Sequence, residues 1–276
     1  MILKGREMAS SDLRPVRPTV TPAAYVGGKR NLAKRICAII ESIPHQTYAE
    51  CFVGMGGIFL RRSSAPPAEV INDYSGDVAN LFRILQRHYP QFMDMLKYQV
   101  SSRREFERLK ECDPATLTDL ERAGRFLYMQ RLSFGGRVNG HFGIDPARGG
   151  RFNILKLAPL LEEIHERLAG VVIENRRWQD FMDLYDRPGT LFYLDPPYFG
   201  CEDDYGKELF DRAEFAEMAA RLARLKGRFI LSINDLPEIR ELFSAFDIIP
   251  VELTYTIAGG RNARPARELI IVGRAV

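Results

Sequence analysis

Two kinds of hydrophobic pattern follow one another in turn along most of the chain. Short, almost continuous apolar segments of the kind that form buried strands are separated by longer segments with helical periodicity. The predicted strands are residues 47–54, 68–73, 171–175, 190–195 and 228–234. The predicted helices are residues 31–43, 75–88 with Ser75 as a candidate cap, 178–185 and 211–227. Strands that alternate with helices predict a parallel α/β sheet, and the last apolar segments, 248–257 and 266–274, predict an antiparallel pair.

Two parts of the chain depart from this alternation. Residues 1–22 lack periodicity and contain three prolines, so we expect a flexible N-terminal arm. Residues 89–153 are mostly helical as far as about residue 130 and then become glycine-rich and irregular. The chain is therefore predicted to form one α/β core, residues 23–88 and 154–276, split by a mostly helical insertion at residues 89–153.

The amino-acid composition restricts the class of protein but does not indicate a binding partner. Hydrophobic residues make up 46% and charged residues 27% of the 276 residues, which excludes a wholly disordered chain. No apolar run approaches the roughly 20 residues of a membrane helix, so we expect neither a membrane span nor a secretory signal. The four cysteines lie far apart and lack the spacing of a zinc site, so we expect free thiols, no metal and a cytoplasmic protein. A net charge of +3 is too small to indicate a partner.

A glycine-rich turn follows the first predicted strand. The segment FVGMGGIF places Gly54 and Gly56 where a strand meets a helix, and glycine lets a ligand approach the backbone closely. Asp73 ends the next strand, 19 residues after Gly54, where a carboxylate can accept both hydroxyls of a ribose. Phe59 stands in place of the third glycine of a dinucleotide fingerprint. The spacing favours a nucleotide-type ligand without naming it, and a purely structural turn is the alternative.

Two further motifs carry candidate chemistry. In YVGGK, Gly27 and Gly28 would let Lys29 lie across an anionic ligand, although a simple helix-start turn has the same pattern. In FYLDPPY, a buried strand ends at Asp195, and the two prolines force a rigid extended turn. The carboxylate, a backbone carbonyl and the Tyr198 ring are then expected at the carboxyl edge of the sheet, where α/β ligand sites lie. Two acceptors and an aromatic face suit a planar amine.

Together these motifs resemble the Dam-type DNA adenine-N6 methyltransferases. YVGGK, FVGMGG, an insertion and DPPY occur in the order typical of that family, and the resemblance spans about residues 23–275. It implies a Rossmann-like, S-adenosylmethionine-dependent α/β methyltransferase core, with the insertion as a target-recognition region for double-stranded DNA. The insertion matches the segment with which GATC-specific members read DNA only loosely, so both a different short recognition site and relaxed specificity are open. We accordingly expect a monomer without a metal, in the cytoplasm of a bacterium or of the host of a phage.

The resemblance also assigns roles to single residues. The residues that would bind S-adenosylmethionine are Tyr25, Lys29, Phe52, Gly54, Gly56, Asp73, Asp180, Phe181 and Asp195. Among them Asp73 would hold the ribose, and Asp180 and Phe181 would flank the adenine of the cofactor. The catalytic residues would be Asp195, Pro196 and Tyr198. The Asp195 carboxylate and the Pro196 carbonyl would aim the target amine at the sulfonium methyl group, while Tyr198 would stack on a flipped base.

Positive charge is concentrated in the insertion. Six arginines and one acid lie between residues 122 and 151, a local balance of +5. Arginine reaches guanine edges or phosphates and asparagine pairs with adenine, although a merely solvated basic face has the same composition. The candidate DNA-binding residues are Arg122, Arg125, Arg131, Arg137, Asn139, His141, Arg148 and Arg151, with Arg261 and Arg264 in a second patch between the last two strands. The loop at residues 199–208 would close over the flipped base or form an exposed turn.

Other functions fit parts of this pattern. A cytosine-N4 methyltransferase would use the same chemistry on a similar amine, but DPPY in this motif order favours adenine. A catalytically silent DNA-binding relative would not need intact Asp73, Asp195 and Tyr198. A nicotinamide-dependent oxidoreductase would explain the glycine turn but neither DPPY nor the arginine-rich insertion. A cytosine-C5 enzyme is disfavoured, because none of the four cysteines follows a proline.

Overall fold

One large sheet forms the centre of the fold, and helices cover both of its faces. A computed structural model of the chain describes residues 13–25, 27–29, 31–133, 140–143, 149–200, 212–257 and 262–273, and for residues 253–257 and 262–266 it describes the backbone alone. The strands in these residues are β1 (Arg14–Pro15), β2 (Thr47–Glu50), β3 (Ser64–Ala65), β4 (Ala68–Asn72), β5 (Val172–Glu174), β6 (Thr190–Leu194), β7 (Arg228–Asn234), β8 (Asp247–Ile257) and β9 (Asn262–Val272). The helices are α1 (Ala33–Ser42), α2 (Gly76–Arg87), α3 (Tyr89–Leu96), α4 (Arg103–Glu111), α5 (Asp119–Leu132), α6 (Ile154–Arg167), α7 (Trp178–Tyr185), α8 (Glu214–Leu222) and α9 (Pro237–Leu242).

The strands of the large sheet are ordered β5-β4-β2-β6-β7-β9-β8. From β5 to β7 they are parallel, whereas β9 runs antiparallel to both β7 and β8. The predicted parallel sheet with an antiparallel pair at its end is therefore confirmed. The chain builds outward from β2 to β5 and then returns to the other side of β2 to form β6. Ligand sites in open α/β sheets lie at the carboxyl ends of strands beside such a reversal.

The central strands are apolar on both faces, as strands between two helical layers must be. In β6, Leu191 and Tyr193 belong to a buried cluster with residues of α1, α2, α5 and α6. Phe192 and Leu194 belong to a second buried cluster with residues of α7, α8 and α9. Because side chains alternate along a strand, neighbouring residues of β6 point to opposite helical layers.

The insertion packs on the core and shares one of these clusters. α5 begins with a capping box in which Thr118 and Glu121 each hydrogen-bond the backbone of the other. Ala123 and Leu127 of α5 are fully buried in the cluster that contains α2. α3, α4 and α5 occupy most of the stretch predicted to be helical, whereas α6, which contains Pro159, was not predicted. The insertion thus extends the helical layer on one face of the sheet.

Residues 13–22 lie against the core, so the expected flexible arm is wrong for this part of the segment. β1 pairs with β3 in an antiparallel bridge. Thr19 donates its backbone N–H to the Leu60 carbonyl at 2.8 Å and its hydroxyl to the Glu163 carboxylate at 2.7 Å. Prolines exclude a helix here, but they are compatible with an extended edge segment, and this explains the difference. Residues 1–12 of the predicted arm lie outside the described residues.

The described residues also bear on membranes, thiols and metals. Among them, no helix combines the length and the apolar character needed to cross a membrane. Cys37, Cys51 and Cys112 are free cysteines. Within the same described ranges, no group of three or more histidine, cysteine, aspartate or glutamate side chains is arranged to hold a metal ion.

Candidate active site

The carboxyl ends of β2 and β6 lie side by side where the strand order reverses. The two strands are parallel neighbours, with Glu50 opposite Tyr193 in the register. β2 continues into the glycine turn, and β6 continues into Asp195. A cavity of about 1140 Å³ opens at this edge, bounded by both loops, by the segment 20–29 and by residues between 149 and 156. The sheet therefore brings the separate sequence motifs to one cavity, whose far wall is formed by the insertion and the start of α6.

The glycine turn depends on glycine at two positions. Gly54 and Gly56 have φ angles of +50° and +76°, a region that residues with a Cβ rarely adopt. A Cβ on Gly54 would lie 3.0 Å from the ring of Tyr25, so this ring packs directly on the backbone of the turn. A Cβ on Gly56 would lie 2.9 Å from the Leu60 side chain. The turn is thus closely packed on two sides and has no room for a larger residue at either position.

Asp73 holds the glycine turn from the neighbouring strand. Its Oδ2 accepts the Gly54 N–H at 2.9 Å, and its Oδ1 accepts the Ser75 N–H at 2.9 Å. Burial raises the pKa of Asp73 to about 6, while the two N–H groups act in the opposite direction. Ser75 stands at the N-cap of α2, but its side chain makes no capping bond, so the predicted cap is wrong. The carboxylate of Asp73 instead ties the start of α2 to the turn.

Lys29 is buried between two carboxylates. Its ammonium nitrogen lies 2.7 Å from Oδ1 of Asp195 and 3.8 Å from Oε2 of Glu268, and its side chain is 2% exposed. The ammonium group also donates to the Tyr198 hydroxyl at 2.9 Å. Gly27, with a φ of +71°, makes the turn that precedes it. Lys29 is therefore directed at the DPPY motif as well as lining the cavity, and burial of its charge is offset by acids close by.

Asp195 receives its hydrogen bonds on one oxygen. Oδ1 accepts from the Lys29 ammonium at 2.7 Å and from the Ser232 hydroxyl at 3.0 Å. Burial raises the pKa of Asp195 to about 6. The Lys29 charge and the Ser232 hydrogen bond lower this pKa, whereas the charge of Glu268 raises it. The site therefore holds a carboxylate that is ionised at neutral pH and becomes protonated in mild acid.

The loop after Asp195 is fixed to the neighbouring strand. The side chain of Asn234, at the end of β7, accepts the Phe199 N–H and donates to the Phe199 carbonyl, each at 3.0 Å. The Lys29 ammonium lies 4.3 Å from the centroid of the Tyr198 ring. A carboxylate beside the glycine turn and an aromatic ring are thus joined through Lys29, which is an arrangement suited to a planar amine next to a nucleoside.

Comparison with protein families agrees with this geometry. The model of the D12 class N6 adenine-specific DNA methyltransferases matches residues 25–257. The chain belongs to this family. The methyltransferase therefore acts on adenine N6 in DNA and takes its methyl group from S-adenosylmethionine. The resemblance inferred from YVGGK, FVGMGG and DPPY is confirmed.

Two relatives resemble the methyltransferase over most of their length. The type II methyltransferase M1.LlaDCHI of Lactococcus lactis subsp. cremoris is 28% identical over 268 residues, which cover 90% of this chain and 93% of the relative. The type II methyltransferase M.CviBI of Paramecium bursaria Chlorella virus NC1A is 24% identical over 227 residues, which cover 80% of this chain and 85% of the relative. Matches of this extent include both the core and parts of the insertion.

Most of the predicted cofactor residues of the methyltransferase surround the cavity. Those that line it are Tyr25, Lys29, Phe52, Gly54, Asp73 and Asp195. Gly56, which packs against Leu60, is not among the described residues that line the cavity. Asp180 and Phe181 are also placed elsewhere. Phe181 is fully buried, with its ring centroid 5.0 Å from that of Tyr185 and 6.4 Å from that of Phe192. The Phe181 ring therefore packs in the core, and its contact with the cofactor stays a prediction. Asp180, beside it, is exposed and is not among the described residues that line the cavity.

Two buried acids near the cavity were not predicted from the sequence. Glu50, at the end of β2, is 1% exposed and accepts the Tyr48 hydroxyl at 2.6 Å. Burial raises the pKa of Glu50 to about 8. Glu268, on β9, is also 1% exposed and lies beside Lys29. The sequence signal that could have identified them is a charged residue inside an otherwise apolar strand, Glu50 in YAEC and Glu268 in ELII.

Several predicted DNA-binding arginines bind groups of the protein itself. Each donates to a carboxylate or a backbone carbonyl: Arg122 to Asp77, Arg125 to Leu109, Arg131 to Pro22 and Arg151, and Arg151 to Ser133. Arg131 and Arg151 also line the cavity, so their bonds shape the wall between core and insertion. His141 is exposed. Arg137, Asn139, Arg148 and Arg261 lie outside the described residues, as does most of the loop at 199–208, and only the backbone of Arg264 is described.

Proposed function

We propose that the methyltransferase takes one flipped adenine of double-stranded DNA into the cavity and methylates it beside Asp195. The observation that carries this proposal is the meeting of Asp195 and the glycine turn at one cavity, where Lys29 binds both Asp195 and Tyr198. An amine that donates to Asp195 would lie against Tyr198 and next to the turn held by Asp73. Because an amine in stacked DNA cannot reach a carboxylate inside a cavity, the base has to leave the helix.

The residues around the glycine turn suit S-adenosylmethionine. The absence of a Cβ at Gly54 lets the Tyr25 ring pack against the turn, and both residues line the cavity. Each oxygen of Asp73 accepts one N–H and retains a lone pair for a ribose hydroxyl. When bound, the cofactor would supply a methyl group on a positively charged sulfur. A cavity of about 1140 Å³ exceeds the roughly 300–1,000 Å³ of most ligand pockets, which leaves room for a base beside the cofactor.

Asp195 would act by positioning and by electrostatics. The lone pair of an adenine amine is delocalised into the ring, so the free amine is a poor nucleophile. Hydrogen bonds from the amine to the Asp195 carboxylate and the Pro196 carbonyl would favour a pyramidal nitrogen aimed at the methyl group. Lys29 supports this role, because its charge lowers a pKa that burial raises and so keeps Asp195 ionised at neutral pH. The carboxylate would also stabilise the positive charge that develops on the nitrogen.

We further propose that the insertion, residues 89–153, reads the DNA sequence and that the enzyme acts as a monomer on one strand at a time. The arginines on the cavity wall support DNA binding on that side. The relatives are type II methyltransferases by name, which supports a pairing with a restriction enzyme of the same site. The free thiols support a reducing cytoplasm, in a bacterium or in the host of a phage.

One experiment tests the proposed site. Unmethylated genomic DNA is incubated with labelled S-adenosylmethionine, the modified nucleoside is identified after digestion, and the modified positions are mapped by single-molecule sequencing. We expect N6-methyladenine in a fixed sequence context. Asp195→Ala should abolish transfer and leave cofactor affinity, measured by calorimetry, within about twofold of wild type. Asp73→Ala should instead weaken cofactor binding by roughly tenfold or more. Full transfer by the Asp195→Ala variant would contradict the proposed role.

A further inference from the structure

Two buried hydroxyl groups stand beside Asp195 in the sheet. Tyr193 and Ser232 are both 0% exposed. The Tyr193 and Ser232 hydroxyl oxygens are 2.7 Å apart, and the Ser232 hydroxyl donates to Oδ1 of Asp195 at 3.0 Å. The three side chains therefore form a continuous chain of hydrogen bonds that leads from the core to the cavity.

The strand register produces this chain. Tyr193 and Asp195 are two residues apart at the end of β6, so their side chains point to the same face of the sheet. β6 and β7 are parallel, with Leu194 opposite Leu231. Ser232 is the next residue of β7 and therefore comes beside Asp195. A hydroxyl at this position therefore reaches the carboxylate.

The chemistry of the groups sets the direction of the hydrogen bonds. An ionised carboxylate only accepts, so Ser232 must use its single O–H on Asp195. The Tyr193 hydroxyl must then be the donor to Ser232. Burial raises the pKa of Tyr193 well above its ordinary value, and the charge of Asp195 adds to this effect. Tyr193 therefore stays protonated and remains a donor throughout the range in which an enzyme of this kind works.

Both donors to Asp195 reach the same oxygen. Lys29 and Ser232 bind Oδ1, and among the described residues no donor reaches Oδ2. One oxygen is thus held by the protein, and the other is the acceptor left for a ligand in the cavity. This asymmetry is what a carboxylate needs if one of its oxygens is to meet an amine in a fixed direction.

We infer that Tyr193 and Ser232 are positioning residues for methyl transfer, which hold the Asp195 carboxylate so that Oδ2 faces the target amine. The inference rests on the proposed role of Asp195. Neither hydroxyl touches the substrate in this account, since both act through the carboxylate. A carboxylate that turned freely would present Oδ2 in the productive direction only part of the time, and transfer rates are sensitive to displacements of about 1 Å.

The pH profile separates this role from a merely structural one. The charged and titratable groups that face Asp195 are Lys29 before α1, Glu50 at the end of β2, Glu268 on β9 and Tyr193 on β6. Against this background the Ser232 hydrogen bond lowers the pKa of Asp195. Loss of the Ser232 hydroxyl should therefore raise this pKa and move the acid limb of the rate profile to higher pH. A loss of packing alone would leave the limb in place.

The test compares four variants in single-turnover methylation of unmethylated genomic DNA, with cofactor and DNA saturating. Ser232→Ala should slow transfer by roughly 10- to 100-fold and shift the acid limb upward. Tyr193→Phe, which removes one oxygen atom, should slow transfer by roughly threefold to tenfold. The double variant should be no slower than Ser232→Ala, because Tyr193 acts through Ser232. Tyr128→Phe is the matched control, since it removes a buried hydroxyl that donates to the Val100 carbonyl at 2.8 Å, away from the site.

Binding measurements complete the design. Affinities for S-adenosylmethionine by calorimetry and for DNA by gel shift should stay within about twofold of wild type in all variants. Wild-type rates in Tyr193→Phe and Ser232→Ala, or losses that multiply in the double variant, would overturn the inference. If Ser232→Ala does not fold, Tyr193→Phe and the hydroxyl-retaining Ser232→Thr carry the test. Failure of the wild-type protein to methylate adenine would refute the proposed function instead.

Discussion

Replacement of Lys29 by methionine is the sharpest electrostatic test of the site. Methionine has a similar length to lysine without the charge, so Lys29→Met removes the ammonium group that lies 2.7 Å from Asp195. Asp195 would then remain buried next to Glu268 without a compensating charge. Its pKa, already raised to about 6 by burial, should rise further.

The size of the shift follows from the burial of the pair. The Lys29 and Asp195 side chains are 2% and 18% exposed, so solvent screens their attraction weakly. Loss of one partner of a buried pair costs about 3–5 kcal/mol, and about 1.4 kcal/mol corresponds to one pKa unit, which gives a rise of roughly two units or more. The transfer step requires the ionised carboxylate. An acid limb centred near pH 6 in the wild type should therefore move to about pH 8.

The assay is the single-turnover methylation rate from about pH 5 to about pH 9 at saturating cofactor and DNA. The variant should be roughly tenfold slower than wild type at about pH 7 and should recover much of its rate at about pH 9. Lys34→Met is the control, because it removes an exposed lysine of α1 and should leave the profile unchanged. Far-ultraviolet circular dichroism checks that both variants are folded.

An unchanged acid limb in Lys29→Met would refute this reasoning. If the rate fell equally at every pH, the lysine would act on the cofactor or on DNA and not through the ionisation of Asp195. Calorimetry with S-adenosylmethionine distinguishes these two cases, since only a cofactor contact would change the dissociation constant.

Three further predictions concern stability and DNA binding. Glu50→Gln should stabilise the fold by a few kcal/mol at about pH 9. A buried acid whose pKa is raised in the folded state destabilises the fold increasingly as pH rises from its ordinary pKa to its folded-state pKa. Because burial raises the pKa of Glu50 to about 8, most of this change in stability falls between the ordinary pKa of glutamate and about pH 8. Urea unfolding at low and high pH measures this effect, and equal stabilisation at both would contradict it. Gly56→Ala should lower the free energy of unfolding by more than about 1 kcal/mol, because the backbone has a positive φ and the added Cβ would press on Leu60. An unchanged midpoint of urea unfolding would exclude this strain. Arg131→Met should weaken DNA binding and loosen the cavity wall, because Arg131 bridges to Pro22. Gel shifts at several salt concentrations should then give a smaller salt slope, and an unchanged slope would exclude a phosphate contact.

The sheet and the glycine turn could be predicted from the sequence because their signals are local. TLFYL carries bulky hydrophobic side chains at consecutive positions, which is typical of a strand between two helical layers. Gly54 and Asp73 could be connected by their spacing, and the structure joins them by a hydrogen bond of 2.9 Å.

Contacts between distant segments could not be predicted in this way. Ser232 and Glu268 come to Asp195 through the register of β7 and β9, which periodicity does not determine. The proline-rich residues 13–22 gave no periodic signal because their partner strand lies elsewhere in the chain. Phe181 has the same spacing whether it faces a ligand or the core, and only packing distinguishes the two.

The insertion shows a different limit of sequence reasoning. A count of arginines predicts positive charge but not the partner of each guanidinium. Arg122 pairs with Asp77, so its charge is largely compensated within the protein. Arg125 donates to the Leu109 carbonyl, which supports the local fold. His141 is exposed, and its contact with DNA stays a prediction.

The most direct test of adenine methylation at Asp195 compares wild type with Asp195→Asn, which keeps the shape of the side chain and removes its charge. Both proteins are incubated with S-adenosylmethionine and unmethylated DNA, and the nucleosides are quantified by mass spectrometry. We expect N6-methyladenine from the wild type and essentially none from the variant, with equal cofactor affinity. N4-methylcytosine from the wild type, or N6-methyladenine from the variant at the wild-type rate, would contradict the account.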